Sequence, residues 1–448
     1  MEYQWDRQST DGSPPRGGLA RDDRPHGDRA RDDQPEVSGA DLRQLVIELG
    51  SAMVAAGDAV DNVEQSLRAI VAACGVTDIQ IALLPTSLFV ETGLGRSSHV
   101  QFSAQVAPPL RLDQIGVLYE LVKVLGAGTL TPAEGTERLH AIYTLRPSFG
   151  WPVRTLGHAV LTVGLALLLA PTPAGVAAAF VLGLLVGFLK LPDWPTLRLV
   201  FPIATAFAIS VLVFGAARYL DLDNPIRLLV APLVTFLPGA MLAIATMEIA
   251  GGQMVAGASR LVNGIVQLAL LAFGILAGAE LVGISHAQLF EHRVSGLGPL
   301  WAAWLGVFVF GLGVYLHFSA PLASLPWLLL VLVVAFGAQS VGGALFGGVL
   351  SGFFGALAMA PLVLWVERFR QGPPKLVTFL PAFWLLVPGA TGLIGVTQII
   401  GGGGQVPLSV FRDTFGAIVA ISLGVLIGSA IYSTTHAGAK MIARVVRG

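Results

Sequence analysis

The sequence predicts an α-helical polytopic membrane protein, with ten transmembrane helices as two inverted five-helix repeats preceded by a small α+β soluble domain. Three observations carry that prediction. Of 448 residues, 54% are hydrophobic and only 12% charged, a composition typical of membrane proteins. From about residue 152 onward, apolar stretches recur that are long enough to cross a hydrocarbon core of ~30 Å. One of them returns, with its Pro-Gly pair, at an offset of 150 residues.

Residues 1–38, as in "RDDRPHGDRARDDQPE", have almost nothing apolar to bury and read as a disordered tail. Its mixed signs argue against nucleic-acid binding, which needs a consistently basic arm. Residues 39–150 read as a soluble α+β domain. Leu42, Leu45, Val46 and Leu49 fall at helical spacing, Gly57 interrupts, and Val60, Val63, Leu67, Ile70 and Val71 resume the pattern until Gly75. Alternation at Ile79, Ile81 and Leu83, and again at Val100, Phe102, Ala104 and Val106, predicts two strands. In "TPAEGTERLHAI", Thr131 can cap a helix, Pro132 suits its first position and Glu134 can complete a capping box.

Ten apolar spans follow, at 153–170, 174–190, 196–217, 226–249, 260–282, 297–317, 324–341, 343–366, 376–400 and 413–435. With the N-terminus inside, Arg146, Arg154, Lys190, Arg198, Arg260, Arg368, Arg370, Lys375, Lys440, Arg444 and Arg447 fall at the cytoplasmic face. Arg218, Arg227, Arg293 and Arg412 fall outside. That bias places both termini in the cytoplasm. No apolar segment precedes residue 150 that could act as a cleaved signal. The single cysteine, Cys74, excludes an intramolecular disulfide.

"TFLPGAMLAIATMEIAGG" at 235–252 is matched by "LLVPGATGLIGVTQIIGG" at 385–402. Between 238 and 278 the identities at this offset include Pro238/Pro388, Gly239/Gly389, Ala240/Ala390, Gly251/Gly401, Gly252/Gly402, Gly274/Gly424 and Gly278/Gly428. The membrane part is therefore an internal repeat, 151–295 and 296–448. Five crossings per unit is odd, so tandem units enter the membrane from opposite sides, as in transporters with inverted repeats.

The stretches "LGSAMVAAGDAVDNVEQSLRAIVAACGV", "IALLPTSLFVE" and "GTLTPAEGTERLHAI", followed by ten spans in two halves, resemble the bacterial threonine/serine exporter family. The resemblance runs from about residue 41 to the C-terminus. It implies efflux of L-threonine and L-serine across the inner membrane, driven by the proton-motive force.

A proline within a helix removes a backbone donor and frees backbone groups, which hydrocarbon tolerates only beside protein or a wet cavity. Pro238 stands twelve residues after Ile226, about 18 Å along a helix, which puts the break near mid-membrane. A half-helix starting near Ala240 offers its N-terminal amides to a carboxylate, and the preceding half ends in carbonyls suited to an ammonium. Pro238, Gly239, Ala240, Pro388, Gly389 and Ala390 are thus candidate substrate-binding positions for a zwitterion, the alternative being a packing kink. Asn263 and Gln267 share one helix face and either line the path or join helices. Gln398, a further candidate substrate-binding residue, stands where the first half has Glu248, and Asp413 stands where it has Asn263.

Glu248 is either a proton-coupling carboxylate or an interfacial, solvated one. Asp413 can titrate as well, or form a structural pair with Arg412; Glu280 reads as solvated. Gln339 and Ser340 raise the same choice as Asn263, and the isolated His158 and His436 read as structural or interfacial. No Walker loop, metal-ligand set or nucleophile elbow is present. Thr86, Glu91 and His99 read as ordinary surface residues, so no enzyme, cofactor or metal is expected. The predicted function is a secondary-active, proton-coupled antiporter of small hydroxy amino acids. Its partners are those solutes, protons and the lipid bilayer; homo-oligomers are compatible with the sequence. A passive channel, or a membrane enzyme using Glu248 and Asp413, are the competing classes.

Overall fold

The computed structural model describes residues 39–76, 79–92, 99–103, 107–169, 172–191, 200–219, 225–284, 300–386, 388–401 and 408–447. The 1–38 tail, Ala104 and Val106 therefore lie outside the described residues. The fold is mostly helical, with one small sheet near the N-terminus.

Helix α1 (Gly39–Ala55) buries Leu42, Leu45, Val46 and Leu49, and α2 (Val60–Ala73) buries Val60, Val63, Leu67 and Ile70. Gly57 between them has φ +90°, a conformation that L side chains with a Cβ rarely adopt. The strands β1 (Ile79–Leu84), β2 (Ser87–Thr92) and β3 (His99–Ser103) form an antiparallel sheet in that order. The sequence reading has β1 and β3 but not β2. Leu84 pairs with Ser87, so Pro85 and Thr86 alone close the first hairpin. Helix α3 (Leu112–Gly126) is a further addition to that reading. Helix α4 (Pro132–Tyr143) starts with the predicted capping box: Thr131 Oγ1 accepts from the Glu134 amide, and Glu134 Oε2 accepts from the Thr131 amide at 2.9 Å. Those bonds hold the Glu134 carboxyl below the usual range.

The apolar helices follow: α5 (Trp151–Leu168), α6 (Pro173–Leu189), α7 (Val200–Ala216), α8 (Pro225–Leu233), α9 (Gly239–Ala250), α10 (Met254–Val282), α11 (Leu300–His317), α12 (Leu325–Phe346), α13 (Gly348–Val366), α14 (Lys375–Leu385), α15 (Pro388–Gly401) and α16 (Leu408–Arg447). Among the described residues, five helices are long and apolar enough to span a bilayer, or six if the bent pair 225–250 is one span. This is fewer than the ten that hydropathy predicts. Helices α6, α7, α11 and α14 are apolar but shorter; 17 residues of α6 or α7 rise about 26 Å, less than the ~30 Å core.

Close approaches at glycine organise the packing. A Cβ at Gly313 would lie 2.1 Å from the Leu161 amide nitrogen, and one at Gly164 2.2 Å from that of Phe310, so α5 and α11 touch backbone to backbone. A Cβ at Gly274 would meet Ile203 O, Ala206 Cβ and Phe207 N; one at Gly424 would meet Phe353 O, Ala356 Cβ and Leu357 N. Each contact atom recurs 150 residues later. Gly278 and Gly428 likewise meet the carbonyls of Phe207 and Leu357. The α7–α10 and α13–α16 pairs therefore share one packing geometry. Helix α9 packs against α10, α15 and α16, and α15 also packs against α10.

Candidate functional site

The break expected at Pro238 is present. Helix α8 ends at Leu233, a 3₁₀ turn covers Val234–Phe236, and α9 restarts at Gly239 with a bend of 66°. Proline at 238 forbids continuation of the amide ladder, so the chain turns and frees carbonyls. One of these, Phe236 O, accepts a 2.8 Å bond from Gln267 Nε2 of α10. Close helix contact makes that bond possible, because a Cβ at Gly264 would lie 2.5 Å from Leu242 of α9. Pro238 and Gly239 are buried and Ala240 half-buried. Gln267 is thus tied to the break, while Asn263 is exposed. The second Pro-Gly pair also opens a helix, α15; the side chains of 388–391 lie outside the described residues. Gln398 is half-buried on α15.

Thr235 contacts His158, which is two turns into α5, and Phe236 faces Lys190, which caps the end of α6.

Around the break lies a basic and aromatic cluster. His158, fully buried, has Nδ1 3.0 Å from Gly183 O and Nε2 3.4 Å from Thr235 Oγ1. His317 Nδ1 is 3.0 Å from Arg154 O, and its Nε2 is 3.2 Å from Lys190 Nζ. Each Nδ1 faces a carbonyl and so carries the proton, which leaves each Nε2 as an acceptor. The Lys190 ammonium lies 5.3 Å from the Phe236 ring centre and 5.9 Å from that of Phe318. Phe318 in turn packs on Trp384, near the end of α14, with ring centres 4.7 Å apart. The sequence reading treated His158 as isolated and did not single out Lys190, His317 or Thr235 as site residues.

A second cluster surrounds Glu248, which is 3% exposed. Its Oε1 accepts a 2.9 Å bond from the Val60 amide, the first residue of α2. A carboxylate from α9 therefore caps a helix of the N-terminal module, where the free amides and helix dipole favour negative charge. Glu248 Oε2 is 3.2 Å from Arg260 Nε, a contact of charges without an aligned hydrogen bond. Arg260 Nη2 donates to Asp58 O at 2.9 Å. Asp58 accepts from the Ala59 amide, from Asn62 Nδ2 and, at 2.5 Å, from the Tyr119 hydroxyl; Lys375 Nζ lies 3.7 Å away. Burial, and then the Asp58 charge, push the Tyr119 hydroxyl well above its ordinary pKa. Glu248 is thus a buried inter-element contact rather than a solvated glutamate.

Asp413 is exposed and pairs with Arg412 at 3.0 Å, and Glu280 is exposed. Gln339 is half-buried, and Ser340 bonds back to Phe336 O. Glu91 is half-buried in β2, whereas the His99 side chain and His436 lie outside the described side chains. Among the described residues no group of His, Cys, Asp and Glu has the geometry of a metal site.

The chain is 26% identical over 257 residues to an uncharacterized protein of Schizosaccharomyces pombe, an alignment covering 54% of this chain and 30% of that protein. The chain therefore spans about a third of the curated relative it matches. No solved structure matches. The family model described as "Putative threonine/serine exporter" matches residues 44–282, more than half of the chain. With α2, the helix break, Glu248 and Arg260 all inside that match, the chain belongs to the threonine/serine exporter family.

Proposed function

We propose that the protein exports L-threonine and L-serine across the inner membrane by proton-coupled alternating access, with both termini in the cytoplasm. The observation that carries this reading is the broken helix at Pro238, packed through α9 against a second helix that also starts at Pro-Gly, 150 residues later. A broken helix offers free amides from one half and carbonyls from the other, the pair of poles an amino-acid zwitterion needs. The matched glycine contacts of α7–α10 and α13–α16 support two equivalent halves. Counting α6, α7, α11 and α14 as crossings gives five per half and therefore inversion.

Glu248 is our candidate for the proton-coupling carboxylate. Its protonation would weaken both the contact with Arg260 and the cap on α2, linking proton binding to the docking of the cytosolic domain on α9. Asp413, exposed beside Arg412, lacks such burial. Purified protein in liposomes tests both parts. Labelled L-threonine is expected to exchange by counterflow, and an imposed pH gradient to drive its net movement. Glu248→Gln should keep counterflow but lose the response to the gradient; an unchanged response would remove Glu248 from coupling. Flux in the wild type that ignores the gradient would mark a passive pore, and no exchange of any amino acid would overturn the transport reading.

A further inference from the structure

We propose that Lys190 is the carboxylate-binding residue of the transport site, with the Lys190 ammonium held open for an anion beside the helix break at Pro238. The proposal rests on the exporter reading and specifies which side chain meets the acidic end of the substrate. Lys190 has three N–H donors. One faces His317 Nε2 at 3.2 Å, and the tautomer set by Arg154 O makes that nitrogen an acceptor. The others face aromatic rings, Phe236 and Phe318, which attract a cation but accept no conventional hydrogen bond. Among the described residues no carboxylate contacts Lys190, and its other charged neighbour, Arg154, is also basic.

An ammonium half-buried among rings with its donors unspent has lost water that only an anion restores well. Phe236 belongs to the first break. Phe318 packs on Trp384, four residues before Pro388, so the ammonium stands at the first break and is linked through the Phe318 ring to the helix that precedes the second Pro-Gly pair. Nearby, the Thr155 hydroxyl is buried without a partner among the described residues; it lies where α5 meets Gly187, one turn before Lys190. Thr235 Oγ1 donates to His158 Nε2, which leaves the acceptor capacity of that hydroxyl unspent at the break. A carboxylate on Lys190 with polar groups of the break beyond it is the arrangement a small hydroxy amino acid fills.

The experiment compares equilibrium binding to the full-length protein in detergent for three probes. These are L-threonine, L-threoninol, which lacks the carboxylate, and 3-hydroxybutyrate, which lacks the ammonium. Wild type should prefer threonine to threoninol by roughly tenfold or more, the scale of a hydrogen bond to a charged group. Lys190→Met should erase that preference by weakening threonine alone, and Lys190→Arg should restore part of it. Lys190→Met should also melt lower, because it strips the donor from the buried His317 Nε2, but that loss alone leaves the threonine-to-threoninol ratio as it is in wild type. An unchanged threonine-to-threoninol ratio in Lys190→Met would overturn the proposal, as would a lower melting temperature with no change in that ratio. Lys190-dependent binding of 3-hydroxybutyrate without threonine binding would support the carboxylate site while sinking the exporter reading. Failure to bind either carboxylate would overturn both.

Discussion

Phe236 O owes its exposure to Pro238, and Gln267 covers it with a single 2.8 Å bond. Gln267→Leu keeps the bulk and leaves that carbonyl unpaired beside α10. A buried acceptor stripped of its donor costs about 1–3 kcal/mol, so the variant should unfold at lower temperature in detergent and bind substrate less tightly. Thermal unfolding without loss of stability would mean that water already covers the carbonyl. The sequence shows that Gln267 is polar and shares a face with Asn263, but not that its face meets the break. The same limit hides Lys190 and His317, which are 127 residues apart, and Val60 and Glu248, which are 188 apart. Such pairs are set by which helices neighbour each other, and periodicity carries no record of that. Glu248 stood out because its counterpart is Gln398. Its partner on α2 could not, since a backbone amide has no signature in sequence.

At the level of elements, punctuation residues were informative. Gly57 and Gly75 mark the ends of α1 and α2, Thr131 and Glu134 mark the start of α4, and Pro238 marks the bend between α8 and α9. Helix α3 carries the same helical spacing at Leu112, Ile115, Leu118, Leu121 and Leu125, so its absence from the sequence reading reflects no physical obstacle. Strand β2 was harder, because only two residues separate it from β1 and the apolar pattern runs through both. Hydropathy windows exceed the helix lengths of α6, α7, α11 and α14 for a related reason: apolar residues outside a helix raise a window as much as those within it. The glycine contacts allow a sharper test. A methyl at Gly274 would press on Ile203 O at 2.7 Å, and one at Gly424 on Phe353 O at 2.4 Å. Overpacking of this kind typically costs about 1–3 kcal/mol. Gly274→Ala and Gly424→Ala should therefore destabilise by similar amounts, read as melting temperature in detergent. Gly215→Ala, with nothing within 4 Å, should be neutral or stabilising, as expected where alanine merely replaces a helical glycine. A stable Gly424→Ala beside a destabilised Gly274→Ala would break the equivalence of the two helix pairs.

Across the whole molecule, the N-terminal module and the apolar helices are joined by the bonds of Asp58 and Val60 to α9, α10 and α14, and by the Leu112 amide to Phe318 O at 3.2 Å. Phe318 therefore touches the module through its backbone and the Lys190 cluster through its ring. That junction gives the two parts a physical route to sense each other, and its direction across the bilayer depends on the parity of the crossings. If five crossings separate equivalent points, the ends of α10 and α16 must open on opposite sides; with an even number they share a side. Glu280, near the end of α10, and Ser433, three residues from its offset mate at 430, are both exposed. Cys74 is the single native thiol, so Cys74→Ser provides a background without competing label. In intact cells an impermeant maleimide should label Glu280→Cys, whereas Ser433→Cys should react only after the membrane is opened, as should Glu137→Cys in the exposed face of α4. Labelling of both Glu280→Cys and Ser433→Cys from one side would make the halves parallel. That result would remove inversion from the transport reading while leaving the break, its Gln267 cap and the Lys190 cluster where they are.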